Sequence, residues 1–382
     1  MPQLISGDCH VIEPPSTWTD RMPAGFRDHA PRVVRVPATL GLGAESTGEA
    51  DWWYIGDKPV MPVFVLPPAS RISQGHARDL PMEGTVGSMS GTLGTDDYSG
   101  ADYLADLARD NTTAAVLYPT AGLFFYSITD SELRSAIFAA YNQFIGEFCA
   151  DHSARLKGAA LLSVDDVGNA VREMTLGRER GLVTAMLPVE APGGTTYGDP
   201  RFEPLWAAAA DLRMPITFHV GTNQISAQTK ITQTMYVTFD NYVRSALSEL
   251  IFSGAFVRHP ELKVVAAEFE LGWIPFFLDR LDYTYTQRRR REGWIDLPEG
   301  VLPSDYWRSS CAASFQEDPT VAPEHWSVIG VDNIMIGTDY PHAESTFPES
   351  LGSAERVLSA LPEADRAKIF SDNPRRIFGF SD

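Results

Sequence analysis

Long apolar runs, a leader-like start, paired cysteines and a surplus of basic residues are all missing from this sequence. No stretch approaches the roughly 20 consecutive apolar residues that span a bilayer. Met1 to His10 carries no basic segment followed by an apolar run, so a cytoplasmic protein is expected. The three cysteines, Cys9, Cys149 and Cys311, are an odd count without paired spacing, which argues against a disulfide framework or a zinc ribbon. With 31 Lys and Arg against 50 Asp and Glu, a formal net charge of -19, the chain lacks the positive surface that displaces counterions from nucleic acid or an anionic membrane. Neither is expected as a partner. The one basic run, Arg288 to Arg291, reads as a solvated face following a helix, with a pocket for an anionic substrate tail as the alternative.

What is present is alternation. Short runs rich in Val, Ile and Ala alternate with longer helical patterns, the signature of repeated β-α units and a parallel sheet. Eight such runs are expected as strands: Leu4 to His10, Ala114 to Tyr118, Leu156 to Leu162, Val183 to Pro188, Pro215 to Val220, Lys263 to Glu268, Ser309 to Phe315 and Asn333 to Asp339. Helices are expected over Ala101 to Asn111, Asp130 to Asp151, Val167 to Arg180, Phe202 to Leu212, Phe239 to Val257, Trp273 to Arg291 and Pro319 to Ile329, with Ser350 to Leu361 and Glu363 to Phe370 after the last strand. The pattern predicts an α/β fold, a (β/α)8 TIM-like barrel with a large insertion after the first strand and extra C-terminal helices. All 382 residues read as one metal-dependent barrel domain.

The insertion covers about 30–100. Within it Asp51 to Val60 reads as a hairpin, and Ser70 to Gly100, rich in Gly, Ser and Met, reads as a loop. Long loops in compact domains are more often functional than accidental, so a lid over the barrel mouth is expected, extended by the loop Gly221 to Thr238.

Active sites of such barrels sit at the C-terminal strand ends. The first run ends in Asp8-Cys9-His10, and the two-residue period of a strand aims Asp8 and His10 to one face, with Glu13 just beyond. The fifth run ends in His219; the sixth places Glu268 at its end and Glu270 two residues on; the eighth gives Asp339, with His342 three residues later. An unpaired buried carboxylate costs several kcal/mol, so each needs a cation, a proton or a strong donor. Arg280 is an alternative partner for either glutamate. Carboxylates and imidazoles converging on one lumen make a metal the economical explanation.

These residues resemble the amidohydrolase superfamily, in the amidohydrolase-2 branch that includes aminocarboxymuconate-semialdehyde and resorcylate-type decarboxylases. The resemblance rests on Asp8-Cys-His10-Val-Ile-Glu13-Pro-Pro, Phe218-His219-Val-Gly and His259-Pro-Glu-Leu-Lys-Val-Val-Ala-Ala-Glu268. Gly272-Trp-Ile-Pro275 leading to Asp279-Arg280-Leu-Asp282, then Gly337-Thr-Asp339-Tyr-Pro-His342 and Asn373-Pro-Arg-Arg-Ile-Phe-Gly379, complete it. By that resemblance Asp8 and His10 stand at the family's first two metal-ligand positions, His219 at the fifth-strand one and Asp339 at the eighth-strand one. Two departures stand out: Asp8 replaces a histidine of the usual first pair, and Glu268 takes a sixth-strand position often held by a catalytic histidine.

Several carboxylates shift preference toward harder ions. Asp8, His10, Glu13, His219, Glu268 and Asp339 are expected as metal ligands, with Glu268, Asp339 and His342 as catalytic groups. This set suffices for two divalent ions, iron first, with one zinc or manganese as the alternative. The resemblance extends to a nonheme di-iron monooxygenase offshoot found in platensimycin and platencin biosynthesis, which hydroxylates a diterpenoid carried as a coenzyme A thioester. The first expectation is therefore an O2-dependent monooxygenase, an oxidoreductase acting on a bulky apolar substrate, which the resemblance implies is CoA-linked. Its pocket would be lined by Trp52, Trp53, Phe124, Phe125, Met235, Tyr236 and Phe239. A divalent-metal decarboxylase or hydrolase is the second expectation, and a metal-stabilised binding protein without turnover the third. Aromatics in the insertion suggest a homodimer.

Overall fold

The computed structural model describes residues 3–37, 49–63, 98–223, 232–288, 290–342 and 344–381. Eight parallel strands form a sheet in the order β1 (Leu4–Val11), β5 (Thr112–Pro119), β6 (Leu156–Leu161), β7 (Thr184–Leu187), β8 (Ile216–His219), β9 (Val264–Ala267), β10 (Cys311–Phe315) and β11 (Ile334–Ile336). These are the eight apolar runs of the sequence, displaced at their ends by a few residues. Nearly continuous burial along each strand is what a parallel sheet covered by helices requires. The fold is a (β/α)8 barrel.

The seam between the first and last strands closes through the backbone. Asp339 N donates to Asp8 O at 3.0 Å and His10 N to Tyr340 O at 2.7 Å, while Thr338 N donates to Ser6 Oγ at 2.9 Å. Close approach is possible because Gly337 faces Asp8: a Cβ there would lie 2.6 Å from Asp8 Cβ. On β1 the register against β5 slips between Ser6 and Cys9, a bulge of the kind that re-aims side chains beside active sites.

A separate antiparallel sheet, β2 (Arg32–Pro37), β3 (Glu49–Ile55) and β4 (Lys58–Pro62), lies between β1 and β5 in the chain. It carries Trp53, which meets Trp18 and Phe125 edge to face at 5.1 and 6.3 Å. The expected lid over Ser70 to Gly100 falls almost wholly outside the described residues, and Gly100 itself opens the helix Gly100–Arg109. Of the loop Gly221 to Thr238, residues 224–231 lie outside the description and Gln233–Thr238 is helical.

Two helices differ from expectation for local reasons. The run Phe239 to Val257 breaks into Asp240–Phe252 and Ala255–Arg258 because Gly254 adopts φ 77°, a left-handed conformation that ends the first helix. Pro319 to Ile329 holds only a 3-10 turn, Pro323–His325, and the short helix Trp326–Ile329, since Pro323 cannot continue a preceding turn. A helix the sequence reading missed, Asp305–Ser310, feeds β10 directly. No helix among the described residues is long and apolar enough to cross a membrane.

Candidate active site

The C-terminal ends of β1, β8, β9 and β11 bring five ligand-type side chains together. His10 Nε2 lies 3.3 Å from Asp339 Oδ1, 3.7 Å from Asp8 Oδ1 and 4.0 Å from Glu268 Oε2. His219 Nε2 lies 3.3 Å from Asp8 Oδ1 and 3.5 Å from Glu268 Oε2. Ligand atoms bound about 2.1 Å from one divalent ion sit roughly 3 Å apart, so this spacing is that of a coordination shell. Asp8, His10, His219 and Asp339 are all at most 1% exposed.

Each histidine is aimed by its other nitrogen. His10 Nδ1 is 2.8 Å from Pro119 O and His219 Nδ1 is 2.8 Å from Val220 O, so both Nδ1 atoms donate to carbonyls and both Nε2 lone pairs face the cluster. Asp8 Oδ2 accepts from Ser314 Oγ at 3.0 Å, and the same hydroxyl accepts from Glu268 N at 3.1 Å. Sequence reasoning assigned no role to Ser314, although its place near the end of an apolar strand, one residue before Phe315, was the available signal.

Two atoms decide whether a cation fits. His10 Nε2 and Asp339 Oδ2 are buried without a hydrogen-bond partner. A lone imidazole lone pair and a carboxylate oxygen in one dry pocket are costly unless a positive charge joins them. The residues present therefore fit a divalent ion, with Asp8, His10 and His219 forming one close group and His10, Asp339 and His342 another. Burial, followed by the neighbouring His342 and His219, holds His10 well below its usual value, which keeps it neutral as a ligand must be. Burial and then the charges of Asp339 and Asp8 push Glu268 well above the ordinary carboxylate range. Glu268 and Asp339 both adopt positive φ, 64° and 57°, strain of the kind held at functional sites.

The other expected residues divide. His342 Nδ1 meets Asp339 Oδ1 at 2.8 Å and its Nε2 meets Thr120 Oγ1 at 2.9 Å. For His342, burial pulls the pKa down but is outweighed by Asp339, and the net shift is upward. Glu13 corrects the expected ligand set: both its oxygens accept backbone N–H groups, from Thr120, Ala121 and Gly122 at 3.0 to 3.2 Å. Those lone pairs are spent on the turn after β5. Arg280 pairs with neither glutamate; its guanidinium lies over Tyr283. Arg288 and Arg291 are exposed and lie over Tyr283 and Trp294, and the exposed Arg290 pairs with Asp296, so the described residues of this run form a solvated face.

Above the cluster opens a cavity of about 810 Å³ walled by Phe124, Phe239, Phe269 and Trp273, with Tyr236 at its rim. Of the residues expected to line a substrate pocket, Phe124, Tyr236 and Phe239 line this cavity, whereas Trp52, Trp53, Phe125 and Met235 do not. Trp53 and Phe125 are committed to the Trp18 cluster instead. No lysine or arginine is among the described residues lining this cavity, which carries Asp240, Glu268, Glu270, Glu317, Asp318, Asp339 and Glu344.

A family model described as amidohydrolase matches residues 89–380. Gamma-resorcylate decarboxylase of Rhodococcus jostii (strain RHA1) is 25% identical over 279 residues, 66% of this chain and 79% of that protein. Among solved structures, an amidohydrolase from Mycobacterium avium subsp. paratuberculosis K-10 superposes with a TM-score of 0.74 at 22% identity, covering 99% of each chain. A dihydroxybenzoic acid decarboxylase from Polaromonas sp. JS666, with bound manganese and the inhibitor 2-nitroresorcinol, superposes with a TM-score of 0.59 at 19% identity over 75% of this chain and 86% of that one. Relatives that are decarboxylases overturn the expectation of a di-iron monooxygenase and its attributes of iron and oxidoreductase chemistry, and they favour the decarboxylase alternative. The physical reason for the error is that carboxylate-rich ligand sets suit any hard divalent ion and do not encode a redox reaction.

Proposed function

The chain belongs to the amidohydrolase family, and from that premise we propose that it is a divalent-metal-dependent, non-oxidative decarboxylase of bulky aromatic monocarboxylic acids. The observation that carries this reading is the pair of buried, partnerless ligand atoms, His10 Nε2 and Asp339 Oδ2, on the floor of an aromatic-walled cavity. One divalent ion would be held by Asp8, His10, His219 and Asp339, with Glu268 as the fifth group. When bound, such an ion supplies the positive charge that draws a substrate carboxylate and a neighbouring oxygen to the cavity floor.

The protein's own side chains do the rest. Phe124, Phe239 and Trp273 offer faces and edges for an aromatic ring, and the acidic wall, with no lysine or arginine among its described residues, disfavours a second anionic group. That wall also gives no purchase to the phosphates of a coenzyme A thioester. Asp339 and His342, in contact at 2.8 Å, hold the proton the reaction needs. As the bond between ring carbon and carboxyl carbon breaks, its electron pair stays on the ring carbon and takes that proton, releasing CO2 and an arene. Neither O2 nor an electron donor is consumed.

The test is anaerobic incubation of the manganese-loaded protein with a panel of hydroxylated benzoic acids, from simple resorcylates to ones carrying a bulky uncharged substituent. CO2 release with one deuterium placed on the ring in D2O is expected. Failure to release CO2 from every acid, or release only when O2 is consumed, sinks the reading.

A further inference from the structure

Glu13 and Thr120 have no place in the reaction described so far, yet both are engaged in geometry that bears on it. Glu13 is 1% exposed, and its carboxylate grips three successive amides: Thr120 N at 3.2 Å, Ala121 N at 3.0 Å and Gly122 N at 3.0 Å. A carboxylate accepting several backbone N–H groups is a strong, directional clamp. The gripped turn is closely packed: a Cβ on Gly122 would lie 2.7 Å from Pro119 Cβ and 2.9 Å from Leu161 Cδ1. Residues 119 and 120 of this turn each hold one imidazole of the site. Pro119 O takes the Nδ1 proton of His10 at 2.8 Å, and Thr120 Oγ1 meets His342 Nε2 at 2.9 Å.

The consequence concerns which nitrogen of His342 faces Asp339. Its Nδ1 lies 2.8 Å from Asp339 Oδ1 and its Nε2 meets the Thr120 hydroxyl at 2.9 Å, so the ring is held from both ends. Without that hydroxyl, the ring is free to turn.

We propose that Glu13 and Thr120 are positioning residues: through the Pro119–Gly122 turn they fix the orientation of the His342 ring beside Asp339. The activity readout rests on the decarboxylase reading above; the structural readouts do not.

Three variants in zinc-loaded, 15N-histidine-labelled protein test it, with the His342 signals assigned from their absence in His342→Asn. Wild type should show one sharp set of His342 ring-nitrogen signals, the mark of a single ring orientation. Thr120→Val, which exchanges the hydroxyl for a methyl, should retain full zinc content and shift or broaden those signals as the ring turns. With manganese and a turned-over acid, it should lower kcat about tenfold or more while leaving KM within about twofold. Thr120→Ser should restore both signal and rate. Glu13→Gln, which sets an amide N–H against backbone N–H donors, should perturb His342 in the same direction without loss of zinc. Unchanged His342 signals in Thr120→Val, a zinc-bound nitrogen on wild-type His342, or loss of zinc from Glu13→Gln would each overturn the inference. A wild-type protein that decarboxylates nothing defeats only the decarboxylase reading, because zinc content and the histidine spectrum judge the positioning role by themselves.

Discussion

His10 and His342 stack face to face, ring centroids 3.8 Å apart and planes 26° from parallel, and both turn a nitrogen toward the same oxygen of Asp339, at 3.3 and 2.8 Å. Two cationic imidazoles would repel across that gap, so at most one ring of the stack carries a positive charge. Burial and the neighbouring rings keep His10 neutral, and Asp339 draws the charge to His342. One ring is left to bind a cation and the other to handle a proton.

Chelation should therefore remove activity and lower the melting temperature together. With the ion gone, Asp8, Glu268 and Asp339 share a dry pocket without a counter-charge. Restoring manganese to 100 times its Kd should return about 2.7 kcal/mol of stability by mass action. Differential scanning fluorimetry with EDTA and with manganese reads this directly, and equal melting temperatures would contradict a metal site here. Glu268→Gln, which removes one like charge, should shrink the EDTA-induced drop while weakening metal retention.

Gly337→Ala should damage the site from behind. Its new Cβ would press on Asp8 Cβ at 2.6 Å, with Ser314 Cβ at 3.4 Å on the other side. Overpacking of this kind costs about 1–3 kcal/mol. Because the displaced residue is a proposed ligand, metal content should fall more than the melting temperature suggests. A variant that keeps stoichiometric metal would show that Asp8 is not needed to hold it.

Phe239→Ala opens the cavity wall at a half-buried position. KM for a bulky aromatic acid should rise about tenfold with kcat nearly unchanged, the mark of lost uniform binding. The smallest substrates should be affected least. Steady-state kinetics on two acids of different size checks it; a fall in kcat alone would place Phe239 in the chemistry.

Asp110 gives a pH dependence far from the ligands. Burial lifts its carboxyl to about 7, although Oδ1 accepts from Ser350 N at 2.8 Å. A folded-state value raised above the unfolded one gives a contribution fully present below about pH 4 that is lost as pH rises through about 7. Asp110→Asn keeps the acceptor and removes the charge, so it should raise stability at pH 8, by on the order of a few kcal/mol, and flatten the slope between pH 4 and 7. Urea melts of both proteins at pH 5 and pH 8 measure this; parallel pH slopes would refute it.

The alternation of apolar runs and helical patterns determined the barrel and the order of its strands, because parallel strands buried on both faces leave so strong a mark on composition. The two-residue period at the end of β1 set Asp8 and His10 on one face, and position at or just beyond the ends of β8 and β11 brought out His219 and Asp339, since the C-terminal mouth of a barrel is where strand-end residues gather. What only the tertiary structure decided is every relationship made across strands. Glu13 looked like a ligand three residues after His10, but the turn following β5 supplies three N–H groups that claim it. Ser314 joins Asp8 to Glu268 over a separation in sequence that no local pattern encodes. Trp53 and Phe125 went to a core cluster while Phe269 and Trp273 walled the cavity, because which aromatic faces the mouth depends on how the elements pack rather than on the residue's own neighbours in the chain.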